Sequence, residues 1–273
     1  MTTIILSFLL TAVPFTVIDN NQVVDELVKE DFELRYADRL LIDQPKLELQ
    51  MDILNEKLYE DPINAKLDDD GHIIKEKPGE ALDRRTFQQL FQEYFYEEGE
   101  NRIETPVRAV YPRVDSELLA DIREEEIGHY TTDFKPENRK RSRNIELAAE
   151  AINNQVVFPG ERFSFNNVVG KRTKEKGYKQ APVIIKGELS EGIGGGICQV
   201  SSTLYNAVDL KGIEIKERYS HSRSVPYVPS GRDATISWNG PDFSFINRRK
   251  KPVLLQASAA DGHMNVVVLS SKS

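Results

Sequence analysis

One cysteine, Cys198, stands in 273 residues, so no internal disulfide framework and no thiol-rich metal site can form. The four histidines, His72, His129, His221 and His263, are scattered. None makes an HExxH-type helix pair, so no metal and no cofactor is expected. Nucleic acid is not an expected partner either: zinc-finger spacing, a long basic helix and an aromatic-rich RNA-binding pattern are all missing. Long hydrophobic runs are missing as well. The apolar stretch Met1–Val13 is too short to span a bilayer comfortably. It is built like the apolar core of an export signal, but no Lys or Arg precedes it and no lipobox-type cysteine follows. Residues 1–20 therefore read as a degraded export signal or as a first strand at Ile4–Leu10. Apolar order and cysteine poverty favour export, so an extracytoplasmic place is expected, with membrane attachment only through an N-terminal anchor.

What is present is an ordinary folded composition. With 39% apolar and 29% charged residues, global disorder is excluded. The net charge of −8 hides a division. Residues 1–137 carry 15 basic and 32 acidic side chains, a net of −17; residues 138–273 carry 21 and 12, a net of +9. Such a swing points to two physically distinct units. Either the two surfaces are merely solvated differently, or the basic half approaches an anionic ligand or polymer.

Along the first half, residues 14–36 alternate apolar and polar side chains about a turn at Asp19-Asn20-Asn21, which predicts a strand meander. Leu47, Met51, Leu54 and Leu58 recur at helical spacing behind Pro45. Asp68-Asp-Asp-Gly71 lacks the spacing and distal Glu of a calcium loop and reads as a hairpin turn. Asp83 caps a helix whose one face carries Phe87, Leu90, Phe91, Tyr94 and Phe95. A strand is predicted over Ile103–Tyr111, a short helix from Ser116, and a strand over Ile127–Phe134. The succession at about 64–114, a turn, Pro78-Gly79, Leu82-Asp83, a helix and a strand ending in Tyr111-Pro112, resembles the peptidoglycan-binding module of some Gram-positive cell-wall proteins. The acidic N-terminal unit is placed at 21–126.

In the second half, Asn144 is read as the cap of a helix with Ile145, Ala148, Ala149 and Ile152 on its apolar face. Val156–Phe165, turning at Pro159-Gly160, predicts a hairpin. Pro182–Ile185, Ile213–Ile215, Ala234–Trp238, Phe243–Ile246, Val253–Ala257 and Met264–Leu269 predict strands, and Gly192–Val208 a Gly-rich loop entering a helix. Taken together, Asn144-Ile-Glu-Leu-Ala-Ala, Phe158-Pro-Gly-Glu-Arg-Phe-Ser-Phe-Asn, Gly177-Tyr178, Gly194-Gly-Gly-Ile-Cys-Gln-Val-Ser-Ser-Thr-Leu-Tyr-Asn-Ala and His221-Ser resemble the VanW family, over 127–273 as a domain. The resemblance implies a bacterial cell-envelope protein, of a family associated with glycopeptide-resistance clusters and without a settled reaction. The expected fold class is α+β in two units, the second a mixed or antiparallel sheet with a Cys-bearing helix.

The residues themselves suggest chemistry. Cys198 follows three glycines and opens a helix, where free N–H groups and the helix dipole favour a thiolate. His221 lies 23 residues further and Asp233 another 12. Cysteine at a helix start with His and then Asp on adjacent strands resembles the chain order of papain-like and transglutaminase-like folds. Under that reading Cys198 attacks an acyl group, His221 is its base and Asp233 orients His221, giving acyl transfer or amide hydrolysis on cell-wall peptides. Gln199 or backbone N–H groups would hold the oxyanion. A second reading is non-catalytic: Gly194, Gly195, Gly196, Gln199, Ser201, Ser202, Arg223 and Arg232 bind a carboxylate or phosphate of peptidoglycan or another anionic wall polymer. A third is an envelope scaffold, in which Cys198 is a small buried apolar residue and His221 a structural hydrogen-bonding group. Tyr227 and Trp238 belong to the core or stack on a sugar ring, and Pro226–Asp233 forms a loop that walls the site.

Overall fold

The computed structural model describes residues 13–36, 39–97, 99–185 and 188–272. The expected export segment, or first strand at Ile4–Leu10, lies outside the described residues. The chain divides into two compact units. One takes the chain up to Ala65 together with Lys75–Arg113; the other takes Lys66–Ile74 and Val114–Ser273.

In the first unit, β1 (Phe15–Asp19) and β2 (Gln22–Leu27) form an antiparallel hairpin. Asn20 and Asn21 turn it at positive φ, a conformation asparagine tolerates better than most residues. The hairpin β3 (Glu33–Tyr36) and β4 (Arg39–Ile42) leads to α1 (Gln44–Leu58). Asp43 caps that helix by accepting from Lys46 N at 3.2 Å, and proline occupies its first turn. A short pair, β5 (Lys66–Leu67) and β6 (Ile73–Ile74), belongs to the second unit. The first unit resumes with β7 (Gly79–Leu82), α2 (Arg84–Glu97), β8 (Arg102–Glu104) and β9 (Val107–Val110). The single strand expected over 103–111 is thus broken at Thr105-Pro106. Its first part pairs parallel with β1 and its second antiparallel with β7, because proline offers no N–H to continue one ladder. The core is aromatic. Phe87, Phe91 and Phe95 of α2 are fully buried, with Phe91 edge-on to Phe15 at 5.5 Å.

The second unit runs α3 (Ser116–Ile122), β10 (Glu125–Asp133), α4 (Arg139–Ile152), β11 (Gln155–Val157), β12 (Arg162–Ser164), α5 (Phe165–Val169), β13 (Gln180–Ile185), β14 (Glu188–Ile193), α6 (Ile197–Val208), β15 (Ile213–Glu217), β16 (Ser244–Asn247), β17 (Val253–Ala260) and β18 (His263–Ser270). Its sheets are antiparallel: one ordered β10-β18-β17-β11, one ordered β12-β16-β15, and the hairpins β13-β14 and β5-β6. The fold is α+β, as the sequence predicts. α6 is buried almost all round, packed against β10, β18 and α4, which is what a helix apolar on every side requires.

Three local expectations change. The Val156–Phe165 hairpin does not form: β11 pairs with β17 and β12 with β16, while Phe165 opens α5 under a Ser164 cap. Asn144 is not a cap. Asn138 caps α4, and Asn144 lies fully buried in mid-helix. Ala234–Trp238 forms no strand; it meets Tyr219 through one isolated bridge. The Asp68–His72 turn brings Asp68, Asp70 and His72 ligand atoms within 4.8 Å of one another on the surface. Asp68 there accepts from the backbone N–H groups of Asp70 and His72, which is the hairpin turn expected. Among the described residues, no helix is long and apolar enough to cross a membrane.

Candidate active site

The Gly-rich loop sets the position of the sulfur. Gly196 is the N-cap of α6 at φ +109°, and a Cβ there would stand 2.8 Å from Arg141 Cγ. A Cβ on Gly195 would stand 2.5 Å from the Pro182 carbonyl oxygen, so the loop lies flat on β13 only because it lacks side chains. Asn144 ties it down. Its Nδ2 donates to the carbonyls of Gly195 (2.9 Å) and Lys179 (3.0 Å), and its Oδ1 accepts from Lys179 N (2.7 Å). Cys198 is the second residue of α6, in the turn whose N–H groups have no carbonyl partner in their own helix.

Cys198 is half-buried, its Sγ 3.6 Å from the Ile236 carbonyl oxygen and 3.9 Å from Thr235 Oγ1. His221 lines the same cleft as the sulfur, close enough that each group shifts the titration of the other. On the other side of the imidazole, His221 Nδ1 lies 2.6 Å from Asp233 Oδ2, which leaves Nε2 for the sulfur. The same carboxylate oxygen accepts from His221 N at 2.6 Å. That bond explains why neither residue lies on a strand. The Asp233 side chain takes the N–H that a ladder would use, and among the described residues the two segments share one isolated backbone bridge, Tyr219 to Thr235. The His221 and Asp233 side chains are 5% and 8% exposed, so water screens the pair little.

Charge follows from this placement. Burial by itself pushes the Cys198 thiol up, but the hydrogen bonds from His221 and the Ile236 backbone and the imidazolium charge outweigh it and hold the thiol below its ordinary value. Burial pushes His221 down, and the partnership with Cys198 and Asp233 reverses this to a net rise. Asp233 is lowered, burial being overcome by its two bonds to His221. All three shifts favour a thiolate–imidazolium pair oriented by a carboxylate.

A cleft of about 1410 Å³ opens over the sulfur, lined by Gly194, Gly196, Cys198, His221, Tyr227 and Trp238 among others. Burial pushes the Tyr227 phenol far up, so it remains a protonated donor; Trp238 is 44% exposed at the wall. Val225, Pro226 and Tyr227 bring the start of the 226–233 loop into the wall.

The other candidate ligand-binding residues do not all arrive. Gly195 is sandwiched behind the loop. Ser201 Oγ donates to the Ala234 carbonyl at 2.6 Å, and Ser202 Oγ donates to the Cys198 carbonyl and accepts from Ala234 N. Both are fully buried and bind α6 to the Asp233–Ala234 segment instead of a ligand. Arg232 sits towards the far end of α6, joined to Asp209, Asn206 and Tyr205, and Arg223 is exposed; neither lines the cleft. Gln199 does line it, but its amide is held by Thr132 Oγ1 and the Asp133 carbonyl and its Oε1 accepts from Arg141 Nη2 at 2.8 Å. It is a holder of Arg141, so the side-chain oxyanion role expected of it fails.

Four cleft cations were not singled out from sequence: Lys135, Arg141, Lys171 and Arg172. Arg141 carried a signal. It falls four residues before Ile145 on the apolar face of α4, where a charge is out of pattern. Arg172, in a loop after Gly170, carried none.

The class this fold and site define is an α+β protein with a Cys–His–Asp constellation at a helix start. Residues 140–269 match the family described as VanW like protein. The protein YoaR of Bacillus subtilis (strain 168) is 50% identical over 256 residues, 94% of this chain and 84% of its own length. The vancomycin B-type resistance protein VanW of Enterococcus faecalis (strain ATCC 700802 / V583) is 35% identical over 109 residues, 38% of this chain and 40% of that protein. No solved structure matches. The chain belongs to the VanW family.

Proposed function

We propose that the second unit is a cysteine-dependent acyl-transfer or amide-hydrolysis enzyme of the bacterial cell envelope, acting on peptidoglycan peptides or their precursors. The carrying observation is an imidazole fixed by Asp233 at 2.6 Å in the same cleft as the Cys198 sulfur at the mouth of α6. The thiolate attacks an amide carbonyl carbon, the C–N bond breaks, and the proton on His221 leaves with the amine. A thioester remains on Cys198. Water or a second amine attacks it, gives its proton to His221 and restores the thiolate. The Cys198 N–H is the first-turn donor of α6 for the developing oxyanion, since the Ile197 and Gln199 N–H groups donate to the Gly194 and Gly196 carbonyls. Likeness to the vancomycin resistance protein, an extracytoplasmic reading of the first residues and the basic second half support the envelope and an anionic wall polymer as partner.

The test is iodoacetamide labelling of Cys198 across pH, read by intact mass, with acyl-adduct trapping on stem-peptide amides and activated esters. Because the thiol is lowered, the midpoint of its labelling rate lies below the ordinary ~8.5. In His221→Ala only the Ile236 backbone and Thr235 still oppose burial, so the midpoint moves up and no adduct forms. Labelling that tracks ordinary thiol ionisation in the wild type sinks the proposal. A second reading, non-catalytic binding in the same cleft, is favoured by the presence of Arg141 and Arg172. Under it Cys198→Ser keeps full ligand affinity and no adduct is ever trapped.

A further inference from the structure

Arg141 and Arg172 share an unusual arrangement. Each guanidinium is held by a neutral amide instead of a carboxylate. Arg141 Nη2 donates to Gln199 Oε1 at 2.8 Å, and Arg172 Nη1 donates to Asn166 Oδ1 at 2.8 Å. Both amides are themselves fixed, Gln199 by Thr132 and Asp133, and Asn166 by the carbonyls of Ser237 and Pro241. Neither arginine takes part in an ion pair among the described residues. Arg172 also lies over the Phe165 ring, 5.8 Å from its centroid. Its Nε and Nη2 are buried with no hydrogen-bond partner. These two N–H groups form the side edge of the guanidinium, the edge that takes a carboxylate in parallel, bidentate fashion. A buried cation left without a counter-charge is costly, and a preformed one in a ligand cleft is most simply completed by the ligand. The Cys198 thiolate favours the charged form of both arginines and Asp242 that of Arg172, but among the described residues neither accepts a hydrogen bond from a guanidinium, and burial still leaves both arginines lowered. The carboxylates near this wall are engaged elsewhere: Asp242 accepts from Ser164, Asn166 and Phe243, and Asp133 pairs with His263. Lys135 and Lys171 add further positive charge to the lining.

We propose that Arg141 and Arg172 form a carboxylate-binding subsite beside Cys198, so that the substrate presents a free carboxylate next to its reacting carbonyl. The substrate class, a carboxylate-bearing peptide or amino-acid amide, rests on the acyl-transfer reading; the anion site itself does not.

Paired alkylation separates the two. Iodoacetate and iodoacetamide share a leaving group and differ in charge, and both report on Cys198 without any turnover. The wild type alkylates faster with iodoacetate, and the rate saturates. Arg172→Gln and Arg141→Gln each lower the iodoacetate-to-iodoacetamide ratio by about tenfold, the scale of charge-assisted hydrogen bonds. Arg248→Gln, a surface arginine paired with Glu214, leaves the ratio unchanged. Arg172→Lys, which keeps charge but loses the bidentate edge, recovers only part of it. In the wild type, propionate protects Cys198 from iodoacetamide and propionamide does not, a measurement that needs no variant to fold. A ratio unmoved by Arg172→Gln, or equal slowing with both reagents, overturns the subsite. Protection by inorganic phosphate as strong as by propionate overturns the carboxylate assignment. Failure to trap an acyl adduct, with the alkylation preference intact, removes the enzyme reading and leaves the subsite standing.

Discussion

At the scale of single residues, the sulfur is a contest between burial, which favours the neutral thiol, and a shielded imidazole with a carboxylate behind it. Asp233 decides the outcome in two ways: its charge raises His221, and its bond to His221 N fixes where the ring can point. Asp233→Asn keeps an acceptor but removes the charge, so His221 falls towards its ordinary value and Cys198 rises. Alkylation at pH 6 should then drop by about tenfold, while the rate at pH 10 changes little. Equal rates at both pH values in wild type and variant would show that Asp233 only shapes the backbone. Cys198, His221 and Asp233 were legible in the sequence because each is a reactive type in a familiar order. Ser201 and Ser202 misled for the same reason: hydroxyls beside a loop of glycines suggest donors, but they lie on the buried sides of a helix with no exposed face.

At the scale of elements, the meeting of α4 with the Gly-rich loop is the decisive contact. Asn144 was read as a cap because asparagine before an apolar run usually is one. Nothing local reveals that Asn138 takes that role and leaves Asn144 to be buried. The pairing of β11 with β17 and β12 with β16, instead of with each other, is non-local in the same sense, since a Pro-Gly turn marks a change of direction without naming the partner strand. Strand existence and α6 itself followed from pattern; the partners did not. Asn144→Ala removes three hydrogen bonds: the Lys179 N–H and the Gly195 carbonyl lose their Asn144 partner, while the Lys179 carbonyl keeps only its bond from Gly194 N. We expect a loss of about 2–4 kcal/mol in denaturant unfolding, together with slower alkylation of Cys198 as the loop relaxes. A destabilised variant with wild-type alkylation would separate the clamp from the site.

At the scale of the whole molecule, charge is sorted along the chain, and the +9 of residues 138–273 stands against the −17 of residues 1–137. If the basic half meets an anionic wall polymer, adsorption to purified walls should weaken steeply as salt rises from about 0.01 to 0.15 M, where the screening length shortens from roughly 30 to 8 Å. Carboxymethylation of Cys198 should leave that adsorption unchanged, because it touches the cleft and not the surface field. Salt-insensitive adsorption would assign the charge division to solubility alone. The compact units divide at Arg113/Val114, not at 126/127 where the sequence placed the boundary, and the hairpin 66–74 is grouped with Val114–Ser273. Its Leu67 exchanges hydrogen bonds with the side chain of Asn154, 87 residues away, a pairing no periodicity announces.

The solitary thiol carries a consequence of its own. Oxidation of a low-pKa cysteine stops first at the sulfenic acid, and one rescue is condensation of that species with a neighbouring protein thiol. This chain has no neighbour to offer. Outside a reducing cytosol, its working life depends on small reductants diffusing into the cleft before a second oxidant does.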